Sequence, residues 1–582
     1  MEDTSSQTQP VRFGSFELDL RAGELRKQGV KIKLQEQPFR ILAMLLEHPG
    51  QVVTREELRG RLWPSDTFVD FDHSLNKAIN KLREALGDSA ETPRFIETIP
   101  RRGYRFLASI DLAREPFPKR SCSLDSIAVF LFENQGAHLD TEYLAAGIPG
   151  SIIHSLSQIP NLRVIAGNAV LSIAGEKDAQ AIGRRFNVRA VLFGRILQRD
   201  SKLRLQVDLV DAVSGEELWG DQYDRDLTEI FVVQDEISRE VSQKLRLKLT
   251  GKDTARLTKR HTDSIEAYQL YLRGRSNSEK RSADGFKKGV ECLNEAIRKD
   301  PSYALAYAEL AQSLHMPAYY GSVSPQEAYP KAKAFALKAS EMDDTLAEAH
   351  SALATIMQNY DWDWEGSEKE YIRAIELNPN YPIARLHYAM HLAELGRFEE
   401  AIREAKEGQS RNPMSGIVNA IVAFVLATAR KFDLCIEQSL TAIDVDPNVT
   451  FTYVSLGTAY EQKGMYREAI TAHEKGIALG GSLALHKSMM GHVYGLSGDH
   501  APAWEILREL QQLSQRRYVP LSSLAIVYDG LGEKELAIES LQKALENRET
   551  LLIMIKVWPH FDKLRDDPRF QDLERLVGLR PH

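Results

Sequence analysis

Pro379, Pro413 and Pro447 stand 34 residues apart, and this spacing constrains the fold more than any other feature of the chain. Other residues recur in phase with it. One unit carries Leu456, Gly457, Tyr460, Gly464, Tyr466, Ala469 and Gly476. The next two carry Gly491, Tyr494, Gly498 and Ala503, then Ala525, Tyr528, Gly532, Ala537 and Ala544. Small residues at fixed positions let neighbouring helices approach closely, aromatics fill the gaps, and each proline ends a second helix. So short a helix pair cannot bury its apolar face alone, so the units must stack into an all-α superhelical solenoid.

Upstream the phase slips. Pro301 lies 78 residues before Pro379. That is two periods plus ten residues, and the surplus is expected as a loop at 316–326, "MPAYYGSVSPQ". The turn "NYDWDWEG" is about one residue longer than its counterparts. The pattern predicts about eight units over 267–550, after a linker at 251–266. The tail, 551–582, contains "FDKLRDDPRFQDLERLVGL" and reads as a polar terminal cap. The units resemble tetratricopeptide (TPR) repeats, which implies a groove that takes a protein or peptide partner. His473, His486, His492 and His500 recur here at spacings of 13, 6 and 8, with no i, i+4 pair and no nearby cysteine. They read as scattered helix residues, and neither a metal site nor a cofactor is expected.

A chain of 582 residues exceeds what one core accommodates, so a multidomain protein follows. Its three cysteines, Cys122, Cys292 and Cys435, are too far apart for a disulfide framework or a zinc motif and suit a reducing compartment. The polar, acidic start "MEDTSSQTQP" lacks the features of a secretory signal, and residues 1–10 are expected to be disordered. The longest apolar stretch, "IVNAIVAFVLATA", has 13 residues and includes Asn419, whereas a membrane span needs about 20. It reads as a buried helix, and the protein is expected to be cytoplasmic with no membrane partner.

Charge is uneven. Residues 11–110 carry 17 Lys/Arg against 14 Asp/Glu, a net +3, which leaves −11 for the rest of a chain of net −8. This first segment opens with strand-like pieces, "FELDL", "GELRKQG" and "VKIKL", that alternate around glycine as in a small antiparallel sheet. Three helices follow. "PFRILAMLLEH" has a proline near its start, and "TREELRGRLW" begins with Thr54 and Glu57 at capping-box spacing. In the third, Leu75, Ala78, Ile79, Leu82 and Leu86 form one apolar stripe. Asn76, Lys77, Asn80 and Lys81 lie on the opposite side, with Arg83 on the flank. The chain then makes strand, turn and strand, with Arg101, Arg102 and Arg105 around Gly103. A helix pair, a basic third helix and a basic hairpin make an α+β winged helix-turn-helix.

Residues 11–110 resemble the OmpR/PhoB-type winged-helix domain through an initial four-stranded sheet, "LNKAINKLREALGD" as recognition helix and "RFIETIPRRGYRF" as wing. The wing is closer to the CadC/ToxR branch than to response regulators, whose wing arginine falls on Pro100 here. The resemblance implies binding to double-stranded DNA. Asn76, Lys77, Asn80, Lys81 and Arg83 would meet bases or phosphates, and Arg101, Arg102 and Arg105 would hold the wing to DNA. With ten residues before Val11, a phosphoacceptor domain in the same chain is not expected. A polar linker, "REPFPKRSCSLD", follows where CadC-like proteins carry a transmembrane helix.

After a linker at 111–125, residues 126–250 mix strands and helices as an α/β domain. "SIAVFLF", "RVIAG", "GRRFNVRAVLFG", "VDLVDAVSGEELW" and "YDRDLTEIFVVQDEI" make it similar to a TolB-N-like domain of bacterial signalling chains, which implies ligand or protein binding. Asp208, Asp211, Asp221, Asp224 and Asp226 fall at strand ends and read as turn formers and caps. No phosphate loop, dinucleotide fingerprint, zinc-protease motif or nucleophile elbow is present, so no catalytic residues are expected. The expected protein is a one-component bacterial transcriptional regulator, binding repeated half-sites as a dimer. The rival is a TPR scaffold whose winged helix docks protein; steep salt dependence of binding separates the two.

Overall fold

The computed structural model describes residues 11–579 except 14–15, 20–21, 28–29, 48–49, 51, 63–70, 91–92, 100–101, 108–109, 112–123, 137–141, 160–161, 166–177, 200–201, 246, 248–249, 252–256, 258 and 481–482. The chain divides into two compact units, Met1–Cys122 and Ser123–His582.

In the first unit, strands β1 (Val11–Phe13), β2 (Phe16–Asp19), β3 (Glu24–Lys27) and β4 (Val30–Ile32) precede helix α1 (Glu36–Glu47). Then come β5 (Val52–Thr54), α2 (Arg55–Leu62), α3 (Phe71–Leu86), β6 (Ile96–Ile99), β7 (Gly103–Phe106) and β8 (Ile110–Asp111). The first four strands form an antiparallel meander, and β8 adds a fifth strand beside β1. A second sheet has the order β5-β7-β6. The α3 stripe is inward as its spacing predicts: Leu75, Ala78, Ile79, Leu82 and Leu86 are all buried in the core with Ile41, Leu42 and Leu45 of α1. Phe13, Phe16, Phe95 and Phe106 form an aromatic cluster that ties the two sheets together.

The second unit begins with a mixed sheet. Its elements are β9 (Ser126–Val129), β10 (Glu133–Asn134), α4 (Glu142–Ser157), β11 (Arg163–Ile165) and α5 (Ala179–Phe186). They continue with β12 (Ala190–Arg199), β13 (Lys202–Asp211), β14 (Glu217–Asp226) and α6 (Ile230–Lys244). Strands run β11-β9-β12-β13-β14, parallel as far as β12 and antiparallel beyond it, with β10 also on β12. Asp211 accepts hydrogen bonds from the Val213 and Ser214 amides at 2.7 and 3.0 Å, as a turn former should. Asp224 instead pairs with Arg204 across the strands, at 2.9 Å.

Among the described residues, sixteen helices from Ile265–Ser278 to Lys534–Glu546 form eight antiparallel pairs. The surplus near 316–326 is not mainly a loop. It lengthens two helices, Ala304–Tyr319 and Pro325–Met342. Ala318 is buried and Tyr319 packs on the core, so the apolar side chains there favour continuing the helix. The extra residue near "NYDWDWEG" is absorbed as a π-turn, Met357–Asp361, followed by Trp362 at φ 59°. Neighbouring units approach until a Cβ on Gly495 would fall 2.4 Å from the Gly530 carbonyl carbon. The 417–429 stretch is a buried helix, Gly416–Thr428. No helix of the described residues is long and apolar enough to cross a membrane.

The array curls until its second repeat meets its eighth. The Gln326 side chain donates to the Glu546 carbonyl at 3.1 Å, and the Tyr329 and Thr550 hydroxyls lie 3.1 Å apart. The tail is not a polar cap on the last repeat. Trp558, Phe561, Leu564, Phe570, Leu573 and Val577 are buried in one core with residues of the first helices of earlier repeats, including Leu386, Ala393, Val425 and Val454. Polar contacts fix its path: Arg548 donates to the Tyr360 carbonyl at 2.7 Å, Arg430 pairs with Asp562 at 2.6 Å, and Trp364 Nε1 donates to the Val577 carbonyl at 2.7 Å. The charged residues of the tail face outward or pair, while an apolar face hidden among them turns in.

The α/β segment and the array share one core, in which Leu144, Ile148 and Ile237 meet Tyr268, Tyr271 and Leu272. Asn378 donates to Ser157 Oγ at 3.1 Å, and Asn380 to the Ser157 and Leu162 carbonyls at 3.1 and 2.7 Å. Between segment and array lies a cavity of ≈ 1810 Å³, lined among others by Tyr143, His154, Arg275, Glu309 and Asn448. Burial raises Glu309 to about 7, with Arg275 opposing.

Candidate nucleic-acid interface

α3 carries its apolar stripe inward, so its opposite face is outward by geometry alone. Asn76, Lys77 and Asn80 are exposed. Lys77 and Asn80 have no side-chain partner among the described residues. Asn76 is held: its Oδ1 accepts from Tyr104 Oη at 2.9 Å and from Arg55 at 3.3 Å. Lys81 is half-buried, and its Nζ reaches Gln35 Oε1 at 2.6 Å. These residues give one helix face a row of amides and ammonium groups, the types that read base edges and phosphates.

Arg83 is a correction to the expected set. It is 6% exposed, and its guanidinium donates to the Ile96 carbonyl at 2.9 Å and to Thr98 Oγ1 at 2.8 Å. Both acceptors belong to β6, so Arg83 fastens α3 to the wing and is not at the surface. Asp88 completes the join, accepting from the Arg94 and Ile96 amides at 2.6 and 2.8 Å.

On the wing, Arg102 is exposed at the turn between β6 and β7. Arg105 is half-buried and paired with Glu97 on β6, Nε to Oε2 at 2.8 Å. Arg101 lies outside the described residues. Gly103 permits the sheet itself: a Cβ there would sit 2.0 Å from the Val53 carbonyl oxygen of β5. Gly103→Ala is therefore expected to cost about 1–3 kcal/mol through overpacking, and calorimetry of the variant would show a lowered melting temperature for the first unit.

No spacing or motif marks Arg55 and Tyr104, whose contacts appear only in the fold. Arg55 stacks over the Tyr104 ring, 5.4 Å from its centroid, and their polar ends both reach Asn76. The capping box that starts α2 is formed as its spacing predicts, with the Thr54 amide donating to Glu57 at 2.7 Å and the Glu57 amide to Thr54 Oγ1 at 3.2 Å. It aims Arg55 at α3.

Residues 29–106 match the family model described as "Transcriptional regulatory protein, C terminal". The N-terminal domain belongs to this family. Residues 363–413, 452–483 and 521–550 match tetratricopeptide repeats, so the solenoid is a TPR array. The chain is 24% identical over 409 residues to "Transcriptional regulator HilA" of Salmonella typhimurium, covering 69% of this chain and 70% of that one. It is 34% identical over 202 residues to a Rhizobium meliloti protein named "Putative adenylate cyclase 3", covering 34% of each. Over 80 residues it is 40% identical to the "Cholera toxin homolog transcriptional activator" of Vibrio parahaemolyticus, 14% of this chain and 27% of the relative. The chain thus spans about a third of the cyclase-named relative and over two thirds of HilA. The family matches are to a transcription-regulator domain and to repeats, not to a catalytic domain.

Proposed function

We propose that this protein is a one-component transcriptional regulator that acts without catalysis. Its winged-helix domain binds promoter DNA through α3 and the wing turn. The observation that carries the reading is the exposed row of Asn76, Lys77 and Asn80 on α3, in a domain of the transcriptional-regulator family. HilA and the Vibrio activator, similar to this chain, carry transcription-regulator names. Asn80 suits an adenine edge, Asn76 keeps its Nδ2 to donate to a base or phosphate while Tyr104 and Arg55 hold its Oδ1, Lys77 and Lys81 suit phosphates or guanine, and Arg102 suits the sugar–phosphate ridge beside the wing. One such head makes few phosphate contacts, so dimers on repeated half-sites are the working arrangement. A cytoplasmic site of action follows from that role.

The TolB-N-like segment and the TPR array would receive the signal. The ≈ 1810 Å³ cavity between them is the place for a peptide or protein segment, because the tail fills another part of the array's inner surface.

Selection of the full-length protein on random duplex DNA tests the reading, with affinity then measured across salt. An enriched half-site is expected, with binding that weakens steeply as salt rises. Lys77→Ala and Arg102→Ala should each weaken binding on all sequences and reduce the salt slope by about one. Unchanged affinity in both would remove these residues from the interface. Salt-insensitive binding, or none, would favour a scaffold whose winged helix docks protein.

A further inference from the structure

His492 was expected to be a scattered helix residue, but the fold brings it into a closed polar cluster. It lies on the helix Leu483–Leu496, Glu461 on the helix Thr450–Gln462, and His560 on the turn Pro559–Leu564 of the tail. All three are buried, at 2%, 3% and 0% exposure. His492 Nδ1 is 3.1 Å and His560 Nε2 is 3.4 Å from Glu461 Oε2, and the three ligand atoms lie within 4.8 Å of one another. Despite these short distances, His492 Nδ1, Glu461 Oε2 and both nitrogens of His560 have no hydrogen-bond partner. So many orphaned polar atoms in a sealed core would be costly unless something joins them.

We infer that Glu461, His492 and His560 bind a divalent transition-metal ion of the zinc class. Two imidazoles and a carboxylate are a favourable donor set for zinc. Donors about 2.0–2.1 Å from a tetrahedral ion stand about 3.3 Å from one another, and the two contacts to Glu461, 3.1 and 3.4 Å, match. The second shell fits too. His492 Nε2 is held by Asp529 Oδ2 at 3.2 Å, which leaves the Nδ1 lone pair for the metal, the carboxylate–histidine–metal arrangement. Charge agrees: Glu461 and Asp529 are buried carboxylates with no lysine or arginine partner among the described residues, and a divalent cation balances both. Because His560 comes from the tail and the other two from the sixth and seventh repeats, the ion pins the tail inside the array. His473 and His486 pair separately, Nδ1 to Nδ1 at 3.2 Å, and His500 is exposed.

The test is metal content and thermal unfolding of the full-length protein, stripped with a chelator and reloaded with zinc chloride. The expected result is one zinc retained per chain and a melting temperature for the second unit that rises with zinc. His560→Gln and Glu461→Gln should lose the retained zinc. If either fails to fold, Asp529→Asn supplies the graded case, an affinity about 10–100-fold weaker with the ligands intact. Cobalt loading of the wild type should add the visible band of a four-coordinate ion. Substoichiometric zinc with no thermal shift in the wild type would overturn the site. So would a folded His560→Gln variant that keeps its full zinc.

Discussion

Replacing Arg83 by alanine lowers the stability of the winged-helix domain by about 3 kcal/mol. The guanidinium is buried, and its removal leaves the Ile96 carbonyl and Thr98 Oγ1 without their donor. A charge-assisted hydrogen bond contributes about 1.5–3 kcal/mol, and each orphaned acceptor adds a desolvation cost. For a domain of this size, roughly 4–8 °C of melting temperature accompanies each kcal/mol. Calorimetry of the full-length variant should therefore show the first unit's transition fall by roughly 12–24 °C while the second unit's stays in place. DNA affinity would fall at warm temperatures and recover on cooling, because α3 and the wing lose their join and not a DNA contact. Lys77→Ala should do the reverse, weakening binding at every temperature with the melting curve unmoved. If Arg83→Ala leaves the melting curve unchanged and binding is lost, Arg83 belongs back among the DNA contacts.

The two cases show what a sequence pattern can resolve. At about 100° per residue, the stripe from Leu75 to Leu86 points unambiguously inward, and every one of its five residues is buried. Arg83 lies one position past Leu82, at the stripe's edge, where the pattern does not decide between groove and core. Only the position of β6, set when its partner β7 pairs with β5 on the far side of α2 and α3 in the chain, decides it. The TPR period was legible because each repeat contacts its neighbours at fixed offsets. The ring closure was not, since Tyr329 and Thr550 meet across 221 residues. The Glu461–His492–His560 cluster was hidden for the same reason. Spacing along one helix reveals metal ligands, but these come from three elements. Asp211, by contrast, was legible as a turn former because its hydrogen bonds are local, whereas Asp208, Asp221 and Asp224 lie within β13 and β14, where Asp224 pairs across the strands with Arg204.

Deleting the chain after Arg548 should unfold much of the TPR array, not merely fray its last repeat. In an ordinary solenoid each repeat touches only its neighbours, so loss of a terminal cap costs one interface. Here the tail packs across several repeats, with Leu386 of the fourth, Val425 of the fifth, Val454 of the sixth and Ile526 of the eighth in the same core as Trp558, Phe561 and Phe570. The deletion strips away twelve buried apolar side chains, among them Leu552, Ile553, Trp558, Phe561, Leu564 and Phe570. Their removal also exposes to water the apolar faces of the repeats they cover, a larger loss than one terminal interface. The truncated chain is expected to bind a hydrophobic dye strongly and to lose its cooperative unfolding transition. Phe561→Ala is the graded version, with an expected cost of about 3–5 kcal/mol from one cavity. It should destabilise the second unit and leave the winged-helix transition untouched. A truncated chain that melts cooperatively near the wild-type temperature would mean that the repeats stand alone and that the tail only rests against them. The inner surface under the tail would then be open to a partner. The array's groove and the cavity beside the α/β segment would become competing sites for the signal, distinguishable by whether the truncation creates binding or abolishes it.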